Sequence, residues 1–280
     1  MSVNQGAESL SCAANIFVGQ TEAPLTIKPY LSSLTKSELH SIMTGGFATI
    51  ASGVMAAYIS FGIPAEHLLA ASVMSAPAAL AISKLFYPET EQPLTKGKIE
   101  SQPTTNYVNG IEAITTGTIE GLKLALNIGA MLIAFLGLLA LLNSLLGFIG
   151  NQIGLPFLSL EWIFSYLMFP VAWLMGIPLA DCQSVAVLLG KKLIFNEFVA
   201  YLDLQQLITG DTAQISERAK IITTYALCGF SNFGAVGIQI GGISAIAPER
   251  QSDLAQLSIR ALTAGSIACF TTACVAGILI

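Results

Sequence analysis

Charged residues are scarce in this chain. Lys and Arg number 12 and Asp and Glu number 17, so charged residues make up 10% of the 280 positions, while 54% are hydrophobic. Soluble domains carry about 25% charged residues. Because a soluble domain of this length could not cover its surface with so few charges, the composition predicts an integral membrane protein with several spans in the lipid bilayer.

Patterns typical of metal sites, nucleic-acid binding and catalysis are also missing. Only two histidines occur and the five cysteines form no CxxC pair, which argues against a zinc site. There is no run of basic residues and the net charge is −5, so nucleic acid is not an expected partner. Cys182 and the distant His40 form no convincing nucleophile–base pair, so we do not expect an enzyme. Residues 1–11 lack the pattern of a signal peptide.

Several apolar segments are too short to cross a bilayer, which takes about 20 helical residues. Residues 9–18 and 25–31 flank a polar turn at residues 20–24, and residues 160–176 are interrupted by Pro170. Irregular backbone is tolerated at membrane depth only inside protein or beside a water-filled cavity. We therefore predict two re-entrant hairpins, one in each region.

The remaining segments complete an all-α polytopic membrane protein. The first two are spans at residues 37–62 and 66–86. An interfacial helix at 107–127 leads into a scaffold span without chemistry at 128–149. Two interrupted helices at 184–204 and 216–246 and a last span at 254–280 follow.

Short and interrupted segments recur in corresponding places, which is typical of inverted-repeat transporters with a site at the repeat interface. A soluble loop at residues 88–105 separates the two halves. We divide the chain into the first half of a transport domain at 1–106, an interfacial and scaffold pair at 107–150, and the second half at 151–280.

Polar residues stand in these apolar surroundings at three places. An ionised carboxylate at membrane depth costs several kcal/mol unless a partner or water offsets it, so such residues are functional candidates. Residues 20–22 could instead cap a hydrated loop, and Glu197 could form a structural ion pair with Lys191 or Lys192. The candidates are Gln20, Thr21, Glu22, Asn196, Glu197, Phe230 and Asn232.

Residues 190–201, GKKLIFNEFVAY, resemble the signature of the concentrative nucleoside transporters, G-[KN]-K-x-x-x-N-E-F-V-A-[YMF], at every fixed position. Residues 6–24 resemble the family's first hairpin, and residues 226–270 resemble its last two helices. The resemblance implies cation-coupled transport of uridine-like nucleosides by an elevator-like movement, in a multi-pass homotrimer of the plasma membrane. Family members carry further helices before the first hairpin. The alternatives are therefore an inactive truncated fragment or a non-transporting nucleoside sensor.

The resemblance also implies the substrate contacts. On the nucleobase side it places Gln20, Thr21, Glu22 and Val54. On the sugar side it places Glu197, whose carboxylate would accept hydrogen bonds from the ribose hydroxyls, together with Phe230 and Asn232. The family usually has a serine three residues after that asparagine, whereas this chain has Ala235, which removes one hydroxyl contact.

For the coupling ion, the resemblance implies sodium held by Asn15, Val18, Thr49 and Ile50. Carbonyl groups at helix breaks can coordinate sodium without a carboxylate. Ordinary interhelical hydrogen bonding by Asn15 and Thr49 is the other interpretation. Coupling to H+ through a desolvated glutamate also stays open. No cofactor is expected.

Overall fold

The computed structural model describes residues 6–95, 108–209 and 215–280, and within these ranges the chain is helical without a strand. Residues 96–107 are not described, so most of the predicted loop at 88–105 and the first residue of the predicted helix at 107–127 lie outside the described residues. The helices are α1 (Gly6–Ala14), α2 (Lys36–Ala48), α3 (Ser52–Ser60), α4 (Ala65–Phe86), α5 (Gly110–Gln152), α6 (Leu160–Leu174), α7 (Cys182–Ile194), α8 (Glu197–Thr209), α9 (Glu217–Leu227), α10 (Phe233–Ile246) and α11 (Gln251–Leu279). Two 3₁₀ segments cover Ala23–Ser33 and Pro248–Arg250.

In the described part of the chain, four helical segments are long and apolar enough to cross a membrane, which agrees with the predicted fold class. Two shorter apolar helices, α6 and α10, lie among them. The four segments are Lys36–Ser60, Ala65–Phe86, Gly110–Gln152 and Pro248–Leu279.

Two hairpins enter the fold, but the second is not where the sequence predicted it. Helix α1 packs against the 3₁₀ segment Ala23–Ser33, and α7 packs against α8. An ion pair between Lys191 and Asp203 joins the arms of this second hairpin. The prediction of a hairpin at 160–176 was wrong. Of these residues, Leu160–Leu174 form the single helix α6, and Pro170 lies inside it without ending it. The chain turns instead at Phe195, whose backbone leaves the helical region (φ −90°, ψ −88°).

Among the described residues, two helices are interrupted by a short extended segment. One break separates α9 from α10, as predicted, and the other separates α2 from α3 within the predicted span 37–62. Thr49 and Ala51 are extended at this second break, with ψ of 166° and 144°. No proline or glycine marks that break, so the sequence offers no local signal for it. The order hairpin, interrupted helix, continuous helix thus occurs twice in the chain.

Helix α5 is continuous and, at 1.5 Å per residue, about 65 Å long. From residue 110 on, the predicted interfacial helix runs without a break into the predicted scaffold span at 128–149. Helix α5 packs along α10, whose glycines face its bulky side chains. A Cβ atom on Gly237 would lie 3.0 Å from Cγ of Phe135, and one on Gly241 would lie 2.8 Å from Cγ of Met131. This close approach is typical of membrane helix packing over small residues.

Candidate functional site

The two hairpin tips and the two helix breaks meet at one cavity of about 320 Å³. This volume lies within the range of small-molecule sites. Helix α5 closes one side with Leu132 and Leu136, two apolar side chains that the sequence did not indicate as part of the site. The remaining lining residues are Gly19, Gln20, Thr21, Glu22, Ala51, Phe195, Asn196, Glu197, Phe230, Asn232, Ala235 and Ile238.

The first hairpin presents three adjacent polar side chains to this cavity. Gln20 and Thr21 are 7% and 6% exposed, whereas Glu22 is exposed to the cavity. The Thr21 hydroxyl donates to Oε2 of Glu22 at 2.9 Å. A Cβ atom on Gly19 would overlap the Glu22 carboxylate, so glycine makes room for it there. The tip therefore combines an amide, a hydroxyl and a carboxylate in one short turn.

Gln239 of α10 fixes the Gln20 side chain. Its Nε2 donates to Oε1 of Gln20 at 3.1 Å and to the carbonyl oxygen of Met43 at 3.0 Å. Gln239 is 1% exposed, and its own Oε1 has no protein partner. Sequence reasoning missed this residue. The only available signal was a lone amide within the apolar, glycine-rich α10.

Glu197 begins α8 and is held from two sides. The Asn196 Oδ1 accepts from the Val199 backbone N–H at 2.9 Å, which caps the N-terminus of α8. The Tyr58 hydroxyl donates to Oε1 of Glu197 at 2.8 Å, and Nδ2 of Asn232 donates to Oε2 at 3.3 Å. Glu197 is 4% exposed. Each carboxylate oxygen can accept another hydrogen bond, since a carboxylate offers about four acceptor positions.

Tyr58 was not predicted from the sequence, although it joins the two halves of the chain. Its ring packs on Tyr201 with centroids 4.4 Å apart and on Phe198 with centroids 6.1 Å apart. Tyr58 is fully buried. The aromatic contacts fix the direction of its hydroxyl toward the carboxylate of Glu197.

The ion pair considered for Glu197 is not the arrangement found. Lys191 pairs with Asp203, and the Lys192 ammonium donates to the carbonyl oxygen of Ala226 at 2.8 Å. The Glu197 carboxylate therefore keeps acceptor capacity for a ligand.

Asn232 and Phe230 lie at the break between α9 and α10. The Asn232 Oδ1 accepts from the Ala235 backbone N–H at 2.7 Å, so the same side chain that contacts Glu197 also caps α10. The Phe230 backbone N–H donates to the carbonyl oxygen of Thr49 at 3.2 Å, which ties the two breaks together. Ala235 lines the cavity, at the position where the family usually carries a serine.

Val54 is the one predicted substrate contact that does not line this cavity. It lies in the first turn of α3 and packs against the main hydrophobic cluster, while Ala51 from the same region reaches the cavity wall.

The charge of the cavity wall is negative. Glu22 and Glu197 contribute carboxylates, and none of the described lining residues is Lys or Arg. Such a wall accepts hydrogen bonds from neutral ligands rich in hydroxyl and N–H groups. It disfavours phosphorylated ligands, because two anions would then share one poorly hydrated space.

The four predicted sodium ligands lie beside the cavity, where α1 meets the first break. The Asn15 amide contacts the Thr49 hydroxyl and donates to the carbonyl oxygen of Gly45 at 2.7 Å. The Thr49 hydroxyl donates to the same carbonyl at 2.5 Å. Val18 follows in the hairpin turn and Ile50 in the break. This cluster offers neutral oxygen atoms, and no group of three His, Cys, Asp or Glu side chains suited to a metal occurs in the described part of the chain.

A family profile described as "Na+ dependent nucleoside transporter C-terminus" matches residues 67–277. The chain belongs to this family. Among curated relatives of this nucleoside transporter family, Solute carrier family 28 member 3 of Eptatretus stoutii is 52% identical over 97% of this chain and 42% of the relative. Sodium/nucleoside cotransporter 1 of Mus musculus is 50% identical over 97% of this chain and 44% of the relative. The chain spans less than half the length of these relatives, which are transporters rather than enzymes.

Solved structures of CNTnw share the fold. A variant of CNTnw in an outward-facing state matches 98% of this chain and 66% of its own, with a TM-score of 0.90 and 40% identity. CNTnw in an inward-facing substrate-bound state matches 98% of this chain and 65% of its own, with a TM-score of 0.80 and 41% identity. Both matches confirm the all-helical transporter fold.

Proposed function

We propose that this chain forms the substrate-binding core of a Na+-coupled nucleoside transporter. The observation that carries the proposal is the Glu197 carboxylate, held by Tyr58 and Asn232 with acceptor capacity left over at a cavity wall. A nucleoside fits this wall because it is neutral, bears a vicinal diol at one end and carries a base with amide-like edges at the other.

Glu197 binds the ribose in this proposal. A carboxylate accepts hydrogen bonds from the 2′- and 3′-hydroxyls together, and hydrogen bonds to a charged acceptor are the strong ones. Phe230 and Asn232 lie beside the sugar. Ala235 offers no hydroxyl there, so the sugar contact rests more fully on the Glu197 carboxylate than it would with serine.

The nucleobase faces the first hairpin. Gln20 and Thr21 present donors and acceptors in fixed directions, and Gln239 keeps the Gln20 amide from rotating. Glu22 provides an acceptor for an N–H group of the base. Leu132 and Leu136 of α5 provide an apolar surface on which the ring can lie.

Sodium is the coupling ion that the site favours. The Thr49 hydroxyl and the Gly45 carbonyl oxygen lie together beside the Asn15 amide, so the cluster holds neutral oxygen atoms without a carboxylate, as expected for a monovalent cation at a helix break. The name of a relative, Sodium/nucleoside cotransporter 1, supports this choice over H+.

Removing the Thr49 hydroxyl should weaken sodium coupling. In Thr49→Val the side chain keeps its shape but loses an oxygen ligand, so the sodium concentration for half-maximal uridine uptake should rise about tenfold. Uptake at saturating sodium should stay close to wild type. Thr44→Val is the matched control, because the Thr44 hydroxyl bonds to the His40 carbonyl within α2. An unchanged sodium curve in Thr49→Val would remove Thr49 from the ion site.

Transport is proposed to occur by an elevator-like movement of the hairpin domain past α5, in a homotrimer of the plasma membrane. The similarity to CNTnw in both outward-facing and inward-facing states supports a movement between two positions. At Gly237 and Gly241, α10 has no side chain that would have to pass α5 in such a movement.

Linking α5 to α10 should therefore stop transport. The double variant Gly237→Cys, Phe135→Cys places a cysteine on each helix at their contact. A Cβ atom on Gly237 would lie 3.0 Å from Cγ of Phe135, so the two sulfur atoms are close enough to form a disulfide. Oxidation should abolish uridine uptake and reduction should restore it. Phe135→Cys alone controls for the substitution. Uptake that persists in the fully cross-linked protein would show that α10 does not move along α5.

Uptake of radiolabelled uridine tests the proposed function itself. The chain is expressed in cells that lack nucleoside carriers, with sodium or choline outside and with or without a pH gradient. Sodium-stimulated accumulation supports the proposal. Accumulation driven only by the pH gradient would mean that H+, and not sodium, is the coupling ion. Uridine binding without accumulation would favour a nucleoside sensor.

A further inference from the structure

Lys192 is a buried cation inside the second hairpin. Its side chain is 2% exposed, and its ammonium donates to the Ala226 carbonyl oxygen at 2.8 Å. The neighbouring Lys191 differs, since it is 34% exposed and pairs with Asp203. A charge in this position is costly unless nearby groups stabilise it. The nucleoside site described above assigns no role to it.

The position of Lys192 corresponds to that of the sodium cluster in the other repeat. In the first repeat, Asn15 reaches from the arm before the hairpin tip to the Gly45 carbonyl, in the last turn of half-helix α2. In the second repeat, Lys192 reaches from the arm before the tip to the Ala226 carbonyl, in the last turn of half-helix α9. Both positions thus lie at the carbonyl end of a half-helix that stops at membrane depth.

A cation is stabilised at such a position. The C-terminal end of a helix carries a partial negative charge because its last carbonyl groups lack intrahelical donors. The Lys192 ammonium, in the last turn of α7, also shares the hairpin tip with the Glu197 carboxylate, which begins α8 five residues later. Lys192 therefore stabilises both the carbonyl end of α9 and the Glu197 carboxylate, which would otherwise lie poorly hydrated beside the sugar site.

We propose that the Lys192 ammonium is a built-in cation of the second repeat, occupying the position that the coupling ion occupies in the first. Its charge holds the carbonyl end of α9 and attracts the Glu197 carboxylate of the same hairpin tip, so nucleoside binding depends on that charge. Lys192 acts through Glu197 and is a positioning residue. The inference rests on the proposed function and adds a second, covalently attached cation to it.

The test compares size and charge at residue 192. Uridine affinity is measured by titration calorimetry on the purified chain in saturating sodium. Lys192→Met keeps the length and removes the charge, and we expect at least a tenfold loss of affinity. Lys192→Arg keeps the charge and should retain affinity within about threefold. Lys220→Met is the matched control and should stay within twofold of wild type, because Lys220 pairs with Glu217 in the first turn of α9, away from the sugar site.

Chemical rescue separates charge from packing. Lys192→Ala enlarges a cavity of about 40 Å³ that already borders Lys192, and added methylammonium should restore at least half of the lost affinity. Wild-type affinity in Lys192→Met would overturn the proposal. Failure of both Lys192→Arg and methylammonium to restore binding would also overturn it, since packing would then explain the loss.

A stability measurement keeps the proposal testable if Lys192→Met does not fold. The proposal expects that adding Glu197→Gln to Lys192→Met raises the melting temperature, because the double variant buries no unbalanced carboxylate. A double variant as unstable as Lys192→Met alone would contradict the proposed charge interaction. This measurement needs no nucleoside, so failure of wild type to bind uridine would count against the proposed function and not against this inference.

Discussion

Replacing Glu197 with Gln should weaken uridine binding by about 10- to 100-fold, because a hydrogen bond to a charged group contributes about 1.5–3 kcal/mol. The carboxylate accepts from the Tyr58 hydroxyl and from the Asn232 amide. A glutamine amide has only one acceptor atom, so its NH₂ group would face a donor on one side. The side chain must then either rotate away or leave one of these donors unpaired.

Uridine and 2′,3′-dideoxyuridine together test the role of Glu197 in this prediction. Wild type should lose most of its affinity when the diol is absent, whereas Glu197→Gln should bind the two ligands about equally weakly. Glu66→Gln, at an exposed position in the first turn of α4, should bind both ligands like wild type. Uridine affinity in Glu197→Gln equal to that of wild type would show that Glu197 does not bind the sugar.

Substituting Gly229 with alanine should separate the two helix breaks. A Cβ atom there would lie 2.8 Å from the Phe47 carbonyl oxygen and 3.0 Å from the Ala48 carbonyl carbon. These are backbone atoms at the end of α2, which cannot move aside as a flexible side chain can. Gly229 also has φ of +157°, which L side chains rarely adopt. The contact between the Phe230 N–H and the Thr49 carbonyl should be lost.

The expected cost is about 2–4 kcal/mol of stability, as for overpacked interiors. This corresponds to a fall in melting temperature of about 5–15 °C, accompanied by loss of uridine binding. Gly53→Ala is the matched control, since a Cβ atom on Gly53 meets nothing within 4 Å. A Gly229→Ala protein with the melting temperature of wild type would mean that the two breaks do not need this close contact.

The position of the second hairpin shows where local sequence reasoning fails. Pro170 suggested an interruption, yet α6 continues through it. The actual turn at Phe195 carries neither proline nor glycine. Its geometry depends on the packing of α7 against α8 and on the ion pair between Lys191 and Asp203, which no local pattern reveals.

The break in the first interrupted helix was missed for the same reason. The sequence of residues 48–51 is typical of an ordinary apolar helix segment. Their extended backbone is stabilised by distant partners, namely the Phe230 N–H on the Thr49 carbonyl and the Ser52 N–H on the Phe17 carbonyl. Backbone groups freed from a helix need such partners at membrane depth.

The sequence by itself determined the membrane class and most of the polar residues of the site. Gln20, Glu22, Glu197 and Asn232 stand out because polar groups within apolar segments are costly and therefore rare. The tertiary structure alone decided which groups hold them. Tyr58 lies 139 positions from Glu197, and Gln239 lies 219 positions from Gln20. Hydrogen-bond direction depends on where helices cross, and these crossings are set by packing between the two repeats.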